Sequence, residues 1–147
     1  MRLLIQRVTQ AAVVVAGTEV ARIERGLLVF VSFGLGDGAD RLPRMADKLV
    51  HLRIFEDPAG KMNRSVGDLE GRILLVSQFT LHASTRRGHR PSFDAALPPD
   101  EALRLFDLFA KEVMDRGIPV STGVFGAHMS VALVNDGPVT IWMEDEG

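Results

Sequence analysis

The 147-residue sequence has no cysteine, no tyrosine and a single tryptophan. The missing thiol excludes a disulfide scaffold, thiolate-bound zinc, iron–sulfur clusters and cysteine nucleophiles together. Long apolar runs are absent too: stretches such as LLVFVSF at 27–33 stop far short of the ~20 residues a membrane-spanning helix needs. The opening MRLLIQRVTQ carries Arg7 inside its apolar stretch and no small-residue cleavage site, unlike a signal peptide. The expectation is a soluble, cytoplasmic protein. Charge of one sign is also lacking. Seventeen Lys and Arg against nineteen Asp and Glu leave a net charge of −2, so any nucleic-acid contact must come from a local basic patch. Apolar residues are plentiful: at 46% hydrophobic, a chain of this length should bury roughly 68–70% of its unfolded surface, which excludes intrinsic disorder and fits one domain over 1–147.

Short β-branched runs at 2–8, 11–16, 19–23 and 27–33, punctuated by Gly17 and Gly26, predict an opening meander. From Asp40 the period changes. Leu42, Met45, Ala46 and Leu49 recur at helical spacing and predict a helix over 40–50, with Asp40 as its N-cap and Pro43 in its first turn. Residues 52–63 predict a strand running into a turn at Asp57, Pro58 and Gly60. ILLVSQFTL at 73–81 predicts a continuous strand, covered on both faces at its start. A second helix is marked by the apolar stripe Ala102, Leu105, Phe106, Phe109 and Val113, behind Pro98, Pro99 and Asp100 and stopped by Gly117 and Pro119. Two closing strands are expected at 128–134 and 139–143 with a turn between them, followed by a frayed acidic tail at 144–147. The class is α/β: a single compact domain, mainly β sheet or barrel, with two helices packed on it.

The four histidines, at 51, 82, 89 and 128, are never three or four apart, and no HExxH occurs, so no metal site is expected. Gly34, Gly36 and Gly38 spell GxGxG without the rest of a phosphate-loop signature and read as a tight loop. No GxSxG elbow exists, and no cofactor is implied. Three features remain. SQFTL at 77–81 places hydroxyl and amide groups at the end of a buried strand, where they are either satisfied within the fold or aimed at a ligand. In an extended strand Ser77 and Phe79 would face one side, Gln78 and Thr80 the other. Arg86, Arg87, His89 and Arg90 crowd a loop ending in Phe93; such a cluster suits phosphates with an aromatic to stack, and equally describes a solvated surface. Asn135–Thr140 is, by composition, a turn.

Together, SQFTL at 77–81 and NDGPVT at 135–140 match the signature motifs SQxTL and NxGPxT of the D-aminoacyl-tRNA deacylases. IQRV at 5–8, RIFEDPAGKMN at 53–63, RGHRPSF at 87–93 and TGVFGAHM at 122–129 resemble the same family, so the likeness runs in order along nearly the whole chain. Neither motif departs from the family pattern. The Ser77–Gln78 opening resembles the chiral-proofreading type rather than its animal relative, in which the serine is replaced.

The resemblance implies an editing hydrolase that cuts the ester between a D-amino acid and the 3′-terminal adenosine of tRNA. It implies a homodimer with active sites at the interface, no cofactor, and neither DNA nor membrane as partner. Ser77, Gln78, Phe79 and Thr80 would form the catalytic segment. Gly137–Pro138 would be a cis pair reaching into the partner's site, its carbonyls directed at the substrate α-ammonium, with Arg7 holding the turn. Adenosine would be seated near Phe125, Gly126, Ala127 and Met129. Phe93, Asn135 and Thr140 would give support, and Arg86, Arg87 and Arg90 would contact tRNA phosphates. Two fixed carbonyls accept a cation. With ammonium and ester both pinned, an L side chain collides with the Gly137–Pro138 backbone while a D side chain points to solvent, so discrimination comes from a clash. Glycine, lacking Cβ, should pass. Thr80 has no evident His base, and the mechanism implied is RNA-assisted: the terminal 2′-OH takes part, with amides near Phe79 and Thr80 stabilising the oxyanion. Two rival readings are an RNA-binding module using the loop at 86–93 and a small-molecule esterase with Thr80 or Ser77 as nucleophile.

Overall fold

The computed structural model describes residues 1–145. These form β1 (Arg2–Val15), β2 (Thr18–Ile23), β3 (Gly26–Ser32), α1 (Leu42–Val50), β4 (Phe55–Glu56), β5 (Met62–Arg64), β6 (Arg72–Ser77), α2 (Pro99–Asp115), β7 (Val120–Thr122) and β8 (Ser130–Glu144). The expected break between residues 8 and 11 does not occur. The exposed pair Thr9–Gln10 interrupts the apolar pattern but not the ladder, because β1 changes partner there: residues 2–8 pair with β3 and 11–15 with β2. Along its other edge β1 pairs with β8. Parallel pairings of β3 with β6 and β6 with β7 complete the order β2-β1-β3-β6-β7.

Alternation along these strands feeds two apolar clusters. Leu3, Ile5, Leu27, Val29, Ile73 and Leu75 pack against the helices, whose stripes Leu42, Met45, Ala46, Leu49 and Ala102, Leu105, Phe106, Phe109, Val113 are buried as their spacing required. Val8, Ala11, Val13, Ile23, Leu28, Leu74 and Val76 fill the opposite side, where the sheet curls into a nearly closed barrel. Covered on both faces, β6 is apolar from Ile73 to Val76.

α1 begins two residues later than its pattern suggests. Asp40 lies in a 3-10 turn, Ala39–Arg41, and caps nothing; Pro43, with its φ already helical and no N–H to satisfy, starts the helix without a side-chain cap. The turn at Asp57–Gly60 forms as expected, though within a small hairpin of β4 and β5: the Asp57 carboxylate accepts the N–H groups of Lys61 and Ala59, which holds its pKa below the ordinary range. The tail is not frayed where it is described. β8 runs to Glu144, which pairs with Arg2 Nε at 2.7 Å, and the buried Asp145 is engaged by Arg44 and by the Met1 carbonyl. Glu146 and Gly147 lie outside the described residues.

Candidate active site

The strand expected over 73–81 stops at Ser77. Its neighbours run out there, β3 at Ser32 and β7 at Thr122, so no ladder remains to hold an extended chain, and the backbone satisfies itself locally. Gln78 N–H makes a last bond to Val31 O at 2.8 Å. The chain then folds into a 3-10 turn, Phe79–His82, with Leu81 N–H donating to Gln78 O at 3.2 Å and Ala83 N–H to Thr80 O at 3.0 Å. The two-sided alternation expected for residues 77–80 therefore does not apply.

Beneath the turn, Ser32 Oγ lies 2.6 Å from His82 Nδ1 and 3.3 Å from Phe79 O, and Arg2 Nη1 donates to Leu81 O at 2.9 Å. Both Ser32 and His82 are buried. Burial, with Arg2 and the N-terminal ammonium nearby, pushes the imidazole pKa below its ordinary 6.5, so His82 is neutral near pH 7. Nothing in the sequence marks this pair: His82 lacks metal-ligand spacing to any other histidine, and Ser32 simply ends an apolar run. Thr80 Oγ1 accepts from Gln78 Nε2 at 2.5 Å, while His82 Nδ1 is taken by Ser32.

Against this turn opens a cavity of about 610 Å³. Ser77, Gln78 and Phe79 line one side, Phe93 and Leu97 another, and Phe125, Gly126, Ala127, His128 and Met129 a third. The rings of Phe79 and Phe93 meet edge to face with centroids 5.1 Å apart, and Phe125 is backed by Phe106 of α2 at 6.2 Å. Three separated stretches singled out in the sequence thus converge on one apolar hollow with few polar groups, of a size for a nucleoside-scale ligand. Thr80 is exposed and does not line it.

NDGPVT is not a turn between two strands but a bulge within β8. Gln6 pairs with Thr140 and Val8 with Asn135, so residues 136–139 stand opposite Arg7 alone. Both halves keep their ladder to β1 because side chains absorb the excess. Asn135 Oδ1 accepts Val139 N–H at 2.8 Å, and Asn135 Nδ2 and Gln6 Nε2 both donate to Thr140 Oγ1, at 3.0 and 3.2 Å. From below, the buried Arg7 donates through Nε to Asp136 O at 2.8 Å and through Nη1 to Ile54 O at 2.7 Å. The Gly137–Pro138 peptide is cis. Gly137 has φ +139°, and a Cβ there would fall 2.9 Å from Val139 Cγ2 and 3.1 Å from Arg7 Nη2, so only glycine fits.

Gly137 and Pro138 are exposed and do not line the cavity of their own chain. Nor do Arg86, Arg87 and Arg90, which sit on an exposed loop pinned at its base by reciprocal Ser84–Ser92 backbone bonds of 2.8 and 3.0 Å. Among the described residues no group of three or more His, Asp or Glu is placed to hold a metal ion, and no helix is long and apolar enough to cross a membrane.

The chain as a whole is similar to known proteins. The profile of the family described as D-Tyr-tRNA(Tyr) deacylase matches residues 4–144. The D-aminoacyl-tRNA deacylase of Thermomicrobium roseum is 57% identical over 144 residues, covering 98% of this chain and 94% of that protein. Its counterpart from Heliobacterium modesticaldum is 53% identical over 147 residues, 100% and 98% of the two chains. A solved structure described as c-Myc DNA unwinding element binding protein is similar with a TM-score of 0.95 at 39% identity over the whole of both chains. A probable eukaryotic D-amino acid tRNA deacylase shares the fold, with a TM-score of 0.83 at 22% identity over 97% of each. With a match from residue 4 to residue 144 and relatives more than half identical along its length, the chain belongs to the D-Tyr-tRNA(Tyr) deacylase family.

Proposed function

We propose that residues 1–147 act as one deacylase that hydrolyses the ester between a D-amino acid, or glycine, and the 3′-terminal adenosine of tRNA. The observation that carries this reading is the convergence of Ser77–Phe79, Phe93 and Phe125–Met129 on one apolar cavity. Adenosine sits there, with Phe79 and Phe93 as its aromatic contacts. The ester carbonyl is directed at the N–H groups of Phe79 and Thr80, which open the 3-10 turn ahead of its first internal hydrogen bond and so have no partner within it. The substrate 2′-OH takes part in the attack of water, and the Thr80 hydroxyl is not the nucleophile.

Chiral selection comes from a second copy of the chain. The exposure of Gly137 and Pro138, apart from their own chain's cavity, supports a homodimer in which this bulge enters the partner's site and its carbonyls receive the α-ammonium. There an L side chain meets backbone, a D side chain points to solvent and glycine passes, so D-residues of all sizes turn over at comparable rates. Arg86, Arg87 and Arg90 contact tRNA phosphates, and the reaction takes place in the cytoplasm. A net charge of −2 gives no bulk attraction to a DNA duplex, and DNA has no part in this reading.

The test is deacylation of matched D- and L-aminoacyl-tRNA carrying the same amino acid, with EDTA in parallel. Rapid, EDTA-resistant release from the D form alone is the expected result. Equal release from both leaves a general esterase, and binding without release leaves an RNA-binding module.

A further inference from the structure

We propose that Ser32 and His82 are a positioning pair that sets the orientation of the Phe79–Thr80 peptide for deacylation. This rests on the reading above, in which the amides opening the turn receive the oxyanion. The geometry behind it is the planarity of the peptide unit. The Phe79 carbonyl and the Thr80 N–H belong to one rigid plane and, across a trans bond, point in opposite directions. Ser32 Oγ lies 3.3 Å from that carbonyl, on its buried side. Holding the oxygen there turns the Thr80 N–H the other way, out of the core.

Ser32 is in turn held by His82 Nδ1 at 2.6 Å, across 50 residues of sequence. The imidazole is seated closely: a Cβ on Gly34 would fall 2.5 Å from Nε2, so bare backbone is what leaves room for the ring. Two polar side chains in this position cost desolvation that an apolar pair of similar volume would avoid. What they add is direction: in the tautomer with the ring proton on Nδ1, His82 donates to Ser32 Oγ and the hydroxyl donates to Phe79 O, and a hydroxyl engaged both ways cannot rotate away from the carbonyl it sets. Distances of this kind also suit a serine nucleophile with its base. Ser32 borders the cavity, but it is only 2% exposed and its hydroxyl is taken up by His82 Nδ1 and the Phe79 carbonyl.

The experiment measures kcat and KM of Ser32→Ala, His82→Asn and His82→Leu on a D-aminoacyl-tRNA, with the melting temperature of each. Ser32→Ala is expected to lower kcat by about ten- to a hundredfold, the scale of a misplaced reacting group, with KM nearly unchanged. His82→Asn, whose amide can stand in for Nδ1, should recover most of kcat, and His82→Leu should not. A Ser32→Ala variant that melts lower but keeps wild-type kcat overturns the proposal, as does a covalent aminoacyl adduct on Ser32 in quenched reactions. Should Ser32→Ala fail to fold, equal kcat in the two His82 variants overturns it instead. A wild-type protein without deacylase activity defeats the underlying reading, and the positioning role falls with it.

Discussion

The two signature segments both interrupt a strand, and they do so in opposite ways. At 79–82 the ladder ends and the chain curls over a buried serine and histidine, forming one side of a cavity. At 136–139 the ladder continues on both sides and the excess chain is displaced over the buried Arg7, leaving Gly137 and Pro138 exposed. A turn that satisfies its backbone locally lines its own chain's hollow, whereas a bulge tied down by side chains leaves its backbone exposed. The supports differ as well: the guanidinium of Arg7 under one, a hydrogen-bonded serine–histidine pair under the other.

The sharpest way to break this contrast is Arg7→Met. It removes the donors to Asp136 O and Ile54 O, leaving both carbonyls without those bonds, and should cost about 3 kcal/mol in urea unfolding. Selectivity between D and L substrates should collapse in the same variant. Phe93→Ala acts on the other region alone: it deletes one ring of the edge-to-face pair and should raise KM about tenfold, with the D/L ratio unchanged. Smaller still is the effect of pH on the buried pair. The folded state resists protonating His82, while the unfolded chain takes the proton near the ordinary 6.5, so the unfolded state binds more protons below that value. Stability is therefore complete above about pH 6.5 and declines as the pH falls below it; melting curves of His82→Asn should lose that part of the decline. The smallest effect is expected for Thr80→Ala, whose N–H remains in place. Activity within about tenfold of wild type fits an amide role, whereas a loss near three orders of magnitude would restore the nucleophile.

How far the fold was legible follows from the range of the forces involved. The stripes of α1 and α2 were readable because burial of Leu42, Met45, Leu49 or of Leu105, Phe109 and Val113 is a matter of spacing along one element. The end of β6 at Ser77 was not, since it depends on where β3 and β7 run out, information held in other parts of the chain. The continuity of β8 escaped for the same reason: Asn-Asp-Gly-Pro is turn chemistry locally, and only pairing of both halves with β1 makes it a bulge. Of the residues proposed for the site, those lining the cavity came together, while Ser32 and His82, with no local signature, emerged only from their contact.

By itself the sequence determined the composition of the core, the two helices, the strands as a class and the two motifs that carry the family likeness, because each is written in residues close together or in simple periodicity. Tertiary structure alone decided that 79–82 curls, that 136–139 bulges and that the two lie apart in one chain. The physical reason is that a backbone group takes whichever partner the rest of the fold brings within hydrogen-bonding distance, and that partner is encoded elsewhere in the chain.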